Sequence, residues 1–302
     1  MKVAALFPGQ GSQVVGMGNA FFKRGGKSAE LFAEADRALG WNLSELCFSG
    51  PIEKLTLTPN AQPAILTTSL ACFEEAGVKV VAAAGHSLGE YTALVVAGVL
   101  NFTDAVQLVH KRGRYMQEAV QPGLGKMVAV MGPSEEEIAT VLGGVESGVA
   151  EIANLNCPGQ TVVAGDVAGI ERFSELMKAA GGKIIPLNVS APFHCSLMKQ
   201  AADNLARDLD AISLAEPNIP VYANVTAKQI KSAAEARELL KQQVCSSVRW
   251  TESVQNLIAE QAIERLVEFG PGAVLSKLVK RINKAIVTSE VADPDSLAKY
   301  QD

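Results

Sequence analysis

The chain has 302 residues, 48% of them apolar and 20% charged, with a formal net charge of −5 at pH 7. That balance excludes a disordered chain and leaves no general attraction to nucleic acid or anionic lipid. No window approaches the ~18 uninterrupted apolar residues of a membrane span; the length allows a sizeable core and roughly two domains. The N-terminus runs straight into Val3-Ala4-Ala5-Leu6-Phe7 without the regions of a secretory leader. A cytoplasmic protein is expected, and a processed organellar one would read the same way. Five scattered cysteines (Cys47, Cys72, Cys157, Cys195, Cys245) form no C-x-x-C pair, which argues against a zinc site or a disulfide framework.

Residues 2–7 read as a buried strand ended by Pro8. In the loop Gly9-Gln10-Gly11-Ser12-Gln13 the third glycine of a dinucleotide fingerprint is replaced by Val14, and no acidic residue sits at a strand end about 20 residues on. Such a loop suits an oxyanion site or a plain tight turn. Helices are expected over 28–40 and 61–76, with start signals from Thr58-Pro59-Asn60. Residues 78–84 read as a buried strand and residues 91–97 as helix. Between them stands Gly85-His86-Ser87-Leu88-Gly89, and strand, G-x-S-x-G, helix is the context of a nucleophile elbow. A side chain at 85 or 89 would crowd the turn from which Ser87 must project.

Asn101-Phe102-Thr103 opens a further helix with Thr103 as N-cap. Its apolar stripe runs Ala105, Leu108, Val109, then Tyr115, Met116 and Ala119, but position 112 within it is arginine. A permanent cation on a core-facing stripe is costly unless paired. Arg112 therefore either snorkels or pairs with a structural carboxylate at the stripe's edge, or it serves a ligand. His110, Lys111 and Arg114 fall on the opposite, solvated face.

Gln121-Pro122-Gly123-Leu124-Gly125 breaks the chain. Strand 126–131, helix 134–142, strands 149–154 and 161–164, helix 167–180 and strand 183–189 then spell βαββαβ, a ferredoxin-like order. The expected fold is α/β. A large serine-hydrolase-like domain, residues 1–124 and 190–302, carries the elbow on a parallel sheet and is interrupted by a small ferredoxin-like domain, residues 125–189. Ser190-Ala191-Pro192-Phe193-His194-Cys195 then leads into helix 196–212. Of three histidines, His86 adjoins Ser87 in an elbow that turns neighbours apart and His110 is solvated, so His194 remains as the base. Strands 220–225 and 263–269 and helices 232–243, 251–260 and 273–282 complete the chain. Lys277, Lys280 and Arg281 on the last helix, with Lys284 beyond, make either a solvated face or a docking patch.

Collected in order, Phe7-Pro8-Gly9-Gln10-Gly11-Ser12-Gln13, Thr58-Pro59-Asn60-Ala61-Gln62-Pro63, Gly85-His86-Ser87-Leu88-Gly89-Glu90-Tyr91, Arg112 with Met116-Gln117-Glu118, Asn156-Cys157-Pro158-Gly159-Gln160, His194, Gln243 with Val248-Arg249-Trp250, and Gly270-Pro271-Gly272 resemble the malonyl-CoA:acyl carrier protein transacylases over essentially the whole chain. The resemblance implies an acylated Ser87 and His194 as its general base. The backbone N–H groups of Gln10 and Leu88 would form the oxyanion hole, and Arg112 would grip the malonyl carboxylate. In place of a carboxylate, the backbone carbonyl of Gln243 would orient the imidazole, and Gln62 and Asn156 would line the pocket. Leu88 and Phe193 look like the malonyl-selecting pattern, Pro192 being a departure within that segment.

By the same resemblance the enzyme is a monomer with no tightly bound cofactor. It would exchange malonyl between CoA and the phosphopantetheine thiol of acyl carrier protein for fatty acid synthesis; separately, the charges of Lys277, Lys280, Arg281 and Lys284 suggest where the acidic carrier would dock. Nucleic acid and membrane are not expected partners. The alternatives are an extender-unit acyltransferase of a polyketide pathway, a serine esterase or thioesterase, and a non-catalytic carrier-docking subunit. A hydrolase would usually place an acid between Ser87 and His194 in the chain, where Asp104 and Asp166 stand.

Overall fold

The computed structural model describes residues 1–189 and 191–301; Ser190 and Asp302, which belong to the expected second segment of the large domain, lie outside the described residues. Among the described residues one sheet has five strands: β1 (Val3–Phe7), β2 (Ala82–Gly85), β7 (Val221–Tyr222), β8 (Arg265–Phe269) and β9 (Val287–Val291). All its ladders are parallel, in the order β7-β2-β1-β8-β9. Side chains on a strand alternate between faces. Accordingly Val3, Ala5 and Phe7 enter one buried cluster, and Ala4 and Leu6 enter another on the opposite face. Both faces are covered, which explains why β1 and β2 read as continuous apolar runs.

β3 (Gly125–Met131), β4 (Ala150–Cys157), β5 (Gln160–Asp166) and β6 (Lys183–Pro186) form a separate antiparallel sheet in the order β4-β5-β3-β6. With helices Glu135–Leu142 and Val167–Ala179 packed on it, this is the ferredoxin-like order expected for 125–189. Backbone bonds that join it to the large unit include Leu155 N–H to Val248 O at 2.9 Å and Val248 N–H to Ala153 O at 2.9 Å.

Several local expectations are corrected. The strand expected over 78–84 shortens to Ala82–Gly85; Val81, 40% exposed, makes one bond to β1, its N–H donating to Val3 O at 2.9 Å. The strand expected over 220–225 is Val221–Tyr222 alone. Asn101, not Thr103, caps helix Phe102–Glu118, its side chain accepting the Asp104 N–H at 2.8 Å; the Thr103 hydroxyl is turned to Glu34. His110 is half-buried rather than solvated, with Nδ1 2.8 Å from the Pro59 carbonyl. Helix Leu43–Ser49, helix Ile52–Thr56, β9 and helix Pro294–Gln301 have short or mixed patterns that periodicity did not register.

Candidate active site

In an open parallel sheet, ligands gather at the carboxyl ends of the strands. Here β7, β2 and β1 are neighbours, and the chain leaving each delivers one site element: Asn224 beyond Tyr222, Ser87 beyond Gly85, and Gln10 beyond Phe7. The elbow is as tight as the glycines imply. A Cβ on Gly89 would stand 2.0 Å from the Phe7 carbonyl oxygen, and one on Gly85 would meet the Gly89 carbonyl at 1.9 Å. Ser87 holds φ 51° and ψ −106°, a conformation costing a non-glycine residue about 1–3 kcal/mol. Helix Leu88–Val96 begins immediately after it.

Ser87 Oγ lies 2.7 Å from His194 Nε2. The Nδ1 of the same ring is 2.9 Å from the Gln243 carbonyl and 3.2 Å from that of Ser246. Carbonyls only accept, so Nδ1 carries the proton and Nε2 is free to take one from the serine. Burial, with the Arg112 charge adding to it, pushes the His194 pKa down to about 3; the imidazole is neutral at physiological pH. Asp104 lies in the first turn of helix Phe102–Glu118, its main-chain N–H donating to the Asn101 cap, and Asp166 caps helix Val167–Ala179 while receiving the Val149 N–H. Neither is bonded to His194, so the hydrolase's third member is not supplied by either.

Arg112 is 1% exposed. Its Nη1 donates to Gln62 Oε1 at 2.8 Å, and its Nη2 donates to Gln243 Oε1 at 2.9 Å and to Ser87 Oγ at 3.2 Å. The guanidinium also lies over the Tyr91 ring, 5.3 Å from its centroid. Burial lowers its pKa, but a guanidinium stays charged. A cation therefore stands within hydrogen-bond distance of the serine oxygen, with neutral amides rather than carboxylates as its direct partners.

A cavity of about 170 Å³ opens over Ser87, lined by Gln10, Leu88, Arg112, Met127, Phe193 and His194 among others. The main-chain N–H groups of Gln10 and Leu88 donate to no protein acceptor among the described residues. An adjoining cavity of about 250 Å³ shares Gln10, Gly11, His86, Asn154 and Leu187 with it and runs to Leu275 and Leu278 on helix Val274–Ile282.

The two further expected pocket residues, Gln62 and Asn156, are placed differently. Gln62 lies behind Arg112 and holds it, outside the lining of the 170 Å³ cavity. Asn156 lines the second cavity and binds His86 Nε2 through Oδ1 at 2.9 Å. Lys277, Lys280, Arg281 and Lys284 are exposed. Arg281 is also tied to the β4–β5 turn through Pro158 O at 2.8 Å and Gln160 Oε1 at 3.1 Å.

A family model for the acyl transferase domain matches residues 5–301. The Bacillus subtilis protein named malonyl CoA-acyl carrier protein transacylase is 48% identical over 302 residues, covering 98% of this chain and 95% of its own length. The chain belongs to the malonyl CoA-acyl carrier protein transacylase family. A Salmonella typhimurium member is 46% identical, with 98% of each chain covered. The crystal structure of the Clostridium perfringens transacylase superposes with a TM-score of 0.96 at 41% identity, covering 100% of this chain and 96% of that one. A malonyl-transacylase in complex with a type II polyketide acyl-carrier protein superposes at 0.95 with 43% identity, covering 99% of this chain and 98% of that one.

Sequence reasoning gave no role to three groups of this site. Glu90 Oε2 accepts the Gln243 Nε2–H at 2.7 Å and the Asn224 N–H at 3.0 Å. The Asn224 side chain accepts the Ser87 N–H at 2.7 Å and donates to Gly85 O at 2.7 Å. The Gln243 side chain donates to Ser87 O at 3.0 Å as well as receiving Arg112. Asn224 had a signal, being a polar residue just past a short apolar strand.

Proposed function

We propose that this chain moves a malonyl group from malonyl-CoA to the phosphopantetheine thiol of acyl carrier protein for fatty acid synthesis, by a ping-pong route through malonyl-Ser87. The observation that carries it is the Arg112 guanidinium 3.2 Å from a serine oxygen that is itself 2.7 Å from an imidazole. The acyl group handled at that oxygen must therefore suit a cation, and the planar fork of arginine matches a carboxylate.

His194 Nε2 takes the Ser87 proton as Oγ attacks the thioester carbonyl. The Gln10 and Leu88 N–H groups receive the oxyanion, each worth on the order of 10²–10³ in rate. Collapse breaks the C–S bond, and His194 returns the proton to the departing CoA sulfur. The carrier thiol then gives its proton to His194, attacks malonyl-Ser87 and leaves as the thioester, and the proton goes back to Oγ. A malonyl carboxylate seated on Arg112 offsets the charge that lowers the His194 pKa, making the imidazole a better base when the correct acyl group is bound.

In this reading Leu88 and Phe193 shape the pocket for malonyl, and residues 125–189 form a small domain inserted between 1–124 and 190–302, roofing the pocket. The second cavity takes the pantetheine arm, with Lys277, Lys280, Arg281 and Lys284 at its outer end meeting the acidic carrier. The scheme needs no tightly bound cofactor and describes a monomer working in the cytoplasm, where CoA thioesters and carrier meet.

The test is intact-mass spectrometry. Malonyl-CoA should add one malonyl mass to the wild type and none to Ser87→Ala. Phosphopantetheinylated carrier should then discharge the adduct faster than water does. A modified Ser87→Ala protein, or hydrolysis outrunning transfer, refutes the reading.

A further inference from the structure

Glu90 is fully buried and lies on the first turn of helix Leu88–Val96, one residue past Gly89. Its side chain makes no hydrogen bond to the side chains of Ser87, His194 or Arg112, yet one of its oxygens meets two residues that hold all three. Oε2 accepts from Gln243 Nε2 at 2.7 Å and from the Asn224 main chain at 3.0 Å. Gln243 in turn holds His194 through its main-chain carbonyl and Arg112 through Oε1. Asn224 straddles the elbow, bonded to Gly85 O and the Ser87 N–H.

The Gln243 amide is the vulnerable link. Its two ends are nearly the same shape, so only their partners decide which way it faces. The Nε2 end points at Glu90 Oε2 and Ser87 O, two acceptors; the Oε1 end points at Arg112 Nη2, which can only donate. Reversal would set oxygen against two acceptors and N–H against the guanidinium. Gln243 is fully buried, so bulk water cannot stand in for a lost partner, and without Glu90 only the longer bond to Ser87 O, at 3.0 Å, holds the Nε2 end away from Arg112. Protonation does not undo the link, since a carboxylic acid protonated on Oε1 still accepts at Oε2.

We propose that Glu90 is a positioning residue for acyl-group selection, fixing the Gln243 amide so that Arg112 is aimed at the carboxylate of the acyl group entering beside Ser87. This rests on the malonyl reading above.

The experiment compares kcat/KM for Ser87 acylation by malonyl-CoA and by acetyl-CoA in Glu90→Leu and Glu90→Gln, with thermal melts to establish folding. In folded Glu90→Leu the malonyl-over-acetyl ratio should fall by about tenfold or more, as expected when a group is misplaced by a fraction of an ångström. Glu90→Gln keeps an acceptor oxygen at the same reach and should recover most of the ratio. A role confined to stability would lower the melting temperature and leave the ratio alone. A folded Glu90→Leu protein with the wild-type ratio overturns the proposal, and so does a Glu90→Gln protein that loses as much as the leucine variant. If Glu90→Leu does not fold, Glu90→Met, unbranched and of similar length but without an acceptor oxygen, cuts the same link while leaving Gln243 itself in place on His194 and Arg112. The same loss of ratio is expected there, and a wild-type ratio overturns the proposal. Failure of the malonyl reading itself shows separately, as absence of a malonyl adduct on the wild type.

Discussion

Replacing Arg112 by alanine tests the claim that a buried cation selects the acyl group. On the enzyme side the change removes the bonds to Gln62 at 2.8 Å, Gln243 at 2.9 Å and Ser87 Oγ at 3.2 Å. On the substrate side it leaves the malonyl carboxylate in a pocket with its cation gone. Removing one partner of a buried, hydrogen-bonded charge pair costs about 2–5 kcal/mol. At about 1.4 kcal/mol per factor of ten, that is a loss of roughly thirty- to several-thousand-fold in kcat/KM for malonyl-CoA. Acetyl-CoA brings no carboxylate. Its acylation should hold or rise, because His194 also loses the neighbouring charge that depresses its pKa. The assay follows mass gain at Ser87 over time with malonyl-, methylmalonyl- and acetyl-CoA. A folded Arg112→Ala protein whose malonyl-to-acetyl ratio matches the wild type would show that the guanidinium is structural only.

The pH dependence of stability offers a second check. Folded His194 titrates near 3 against 6.5 for the free side chain, so between those values the unfolded state binds the extra proton. Stability is therefore lost as pH falls through that window, by about 1.4 kcal/mol per pH unit. Glu90, raised by burial from 4.5 to about 7, acts with the opposite sign between those values, but it is common to wild type and a His194→Gln variant. The difference in their urea unfolding free energies should follow the histidine slope below pH 6.5, and a pH-independent difference would contradict a neutral, buried His194. A third prediction concerns Gly113→Ala. The new Cβ would stand 2.5 Å from the Thr58 carbonyl oxygen and 2.7 Å from Pro59 Cα, forcing helices Phe102–Glu118 and Thr58–Ala76 apart at a cost of about 1–3 kcal/mol. Those helices carry Arg112 and Gln62, so a lower melting temperature should come with weaker malonyl preference in the acylation assay. An unchanged melt would mean that the contact relaxes freely.

The elbow was legible in the sequence because its constraints are local. Gly85 and Gly89 are needed by contacts within a few residues and with the adjoining strand, and the flanking apolar runs show the strand and helix that make the turn. The same holds for Arg112, whose place on the stripe follows from helical spacing alone, and for the βαββαβ run, whose elements succeed one another along the chain. His194 was reached by elimination among three histidines, although the solvation assumed for His110 was mistaken.

Partners far apart in the chain were not legible. Glu90 and Gln243 are 153 residues apart, and Ser87 and Asn224 are 137 apart. No periodicity within a strand or helix reports that β7 lies beside β2 and so brings Asn224 to the elbow. Gln62 was expected in the pocket and stands behind Arg112 instead, held by a bond between two helices, Arg112 Nη1 donating to its Oε1 at 2.8 Å. By itself the sequence determined an activated serine on a tight turn and an arginine on a buried stripe, since local sterics and helical spacing suffice for both. Only the tertiary structure decided how the arginine is aimed and what holds the imidazole, because those depend on hydrogen bonds between strand ends and helices that meet only once the sheet is assembled.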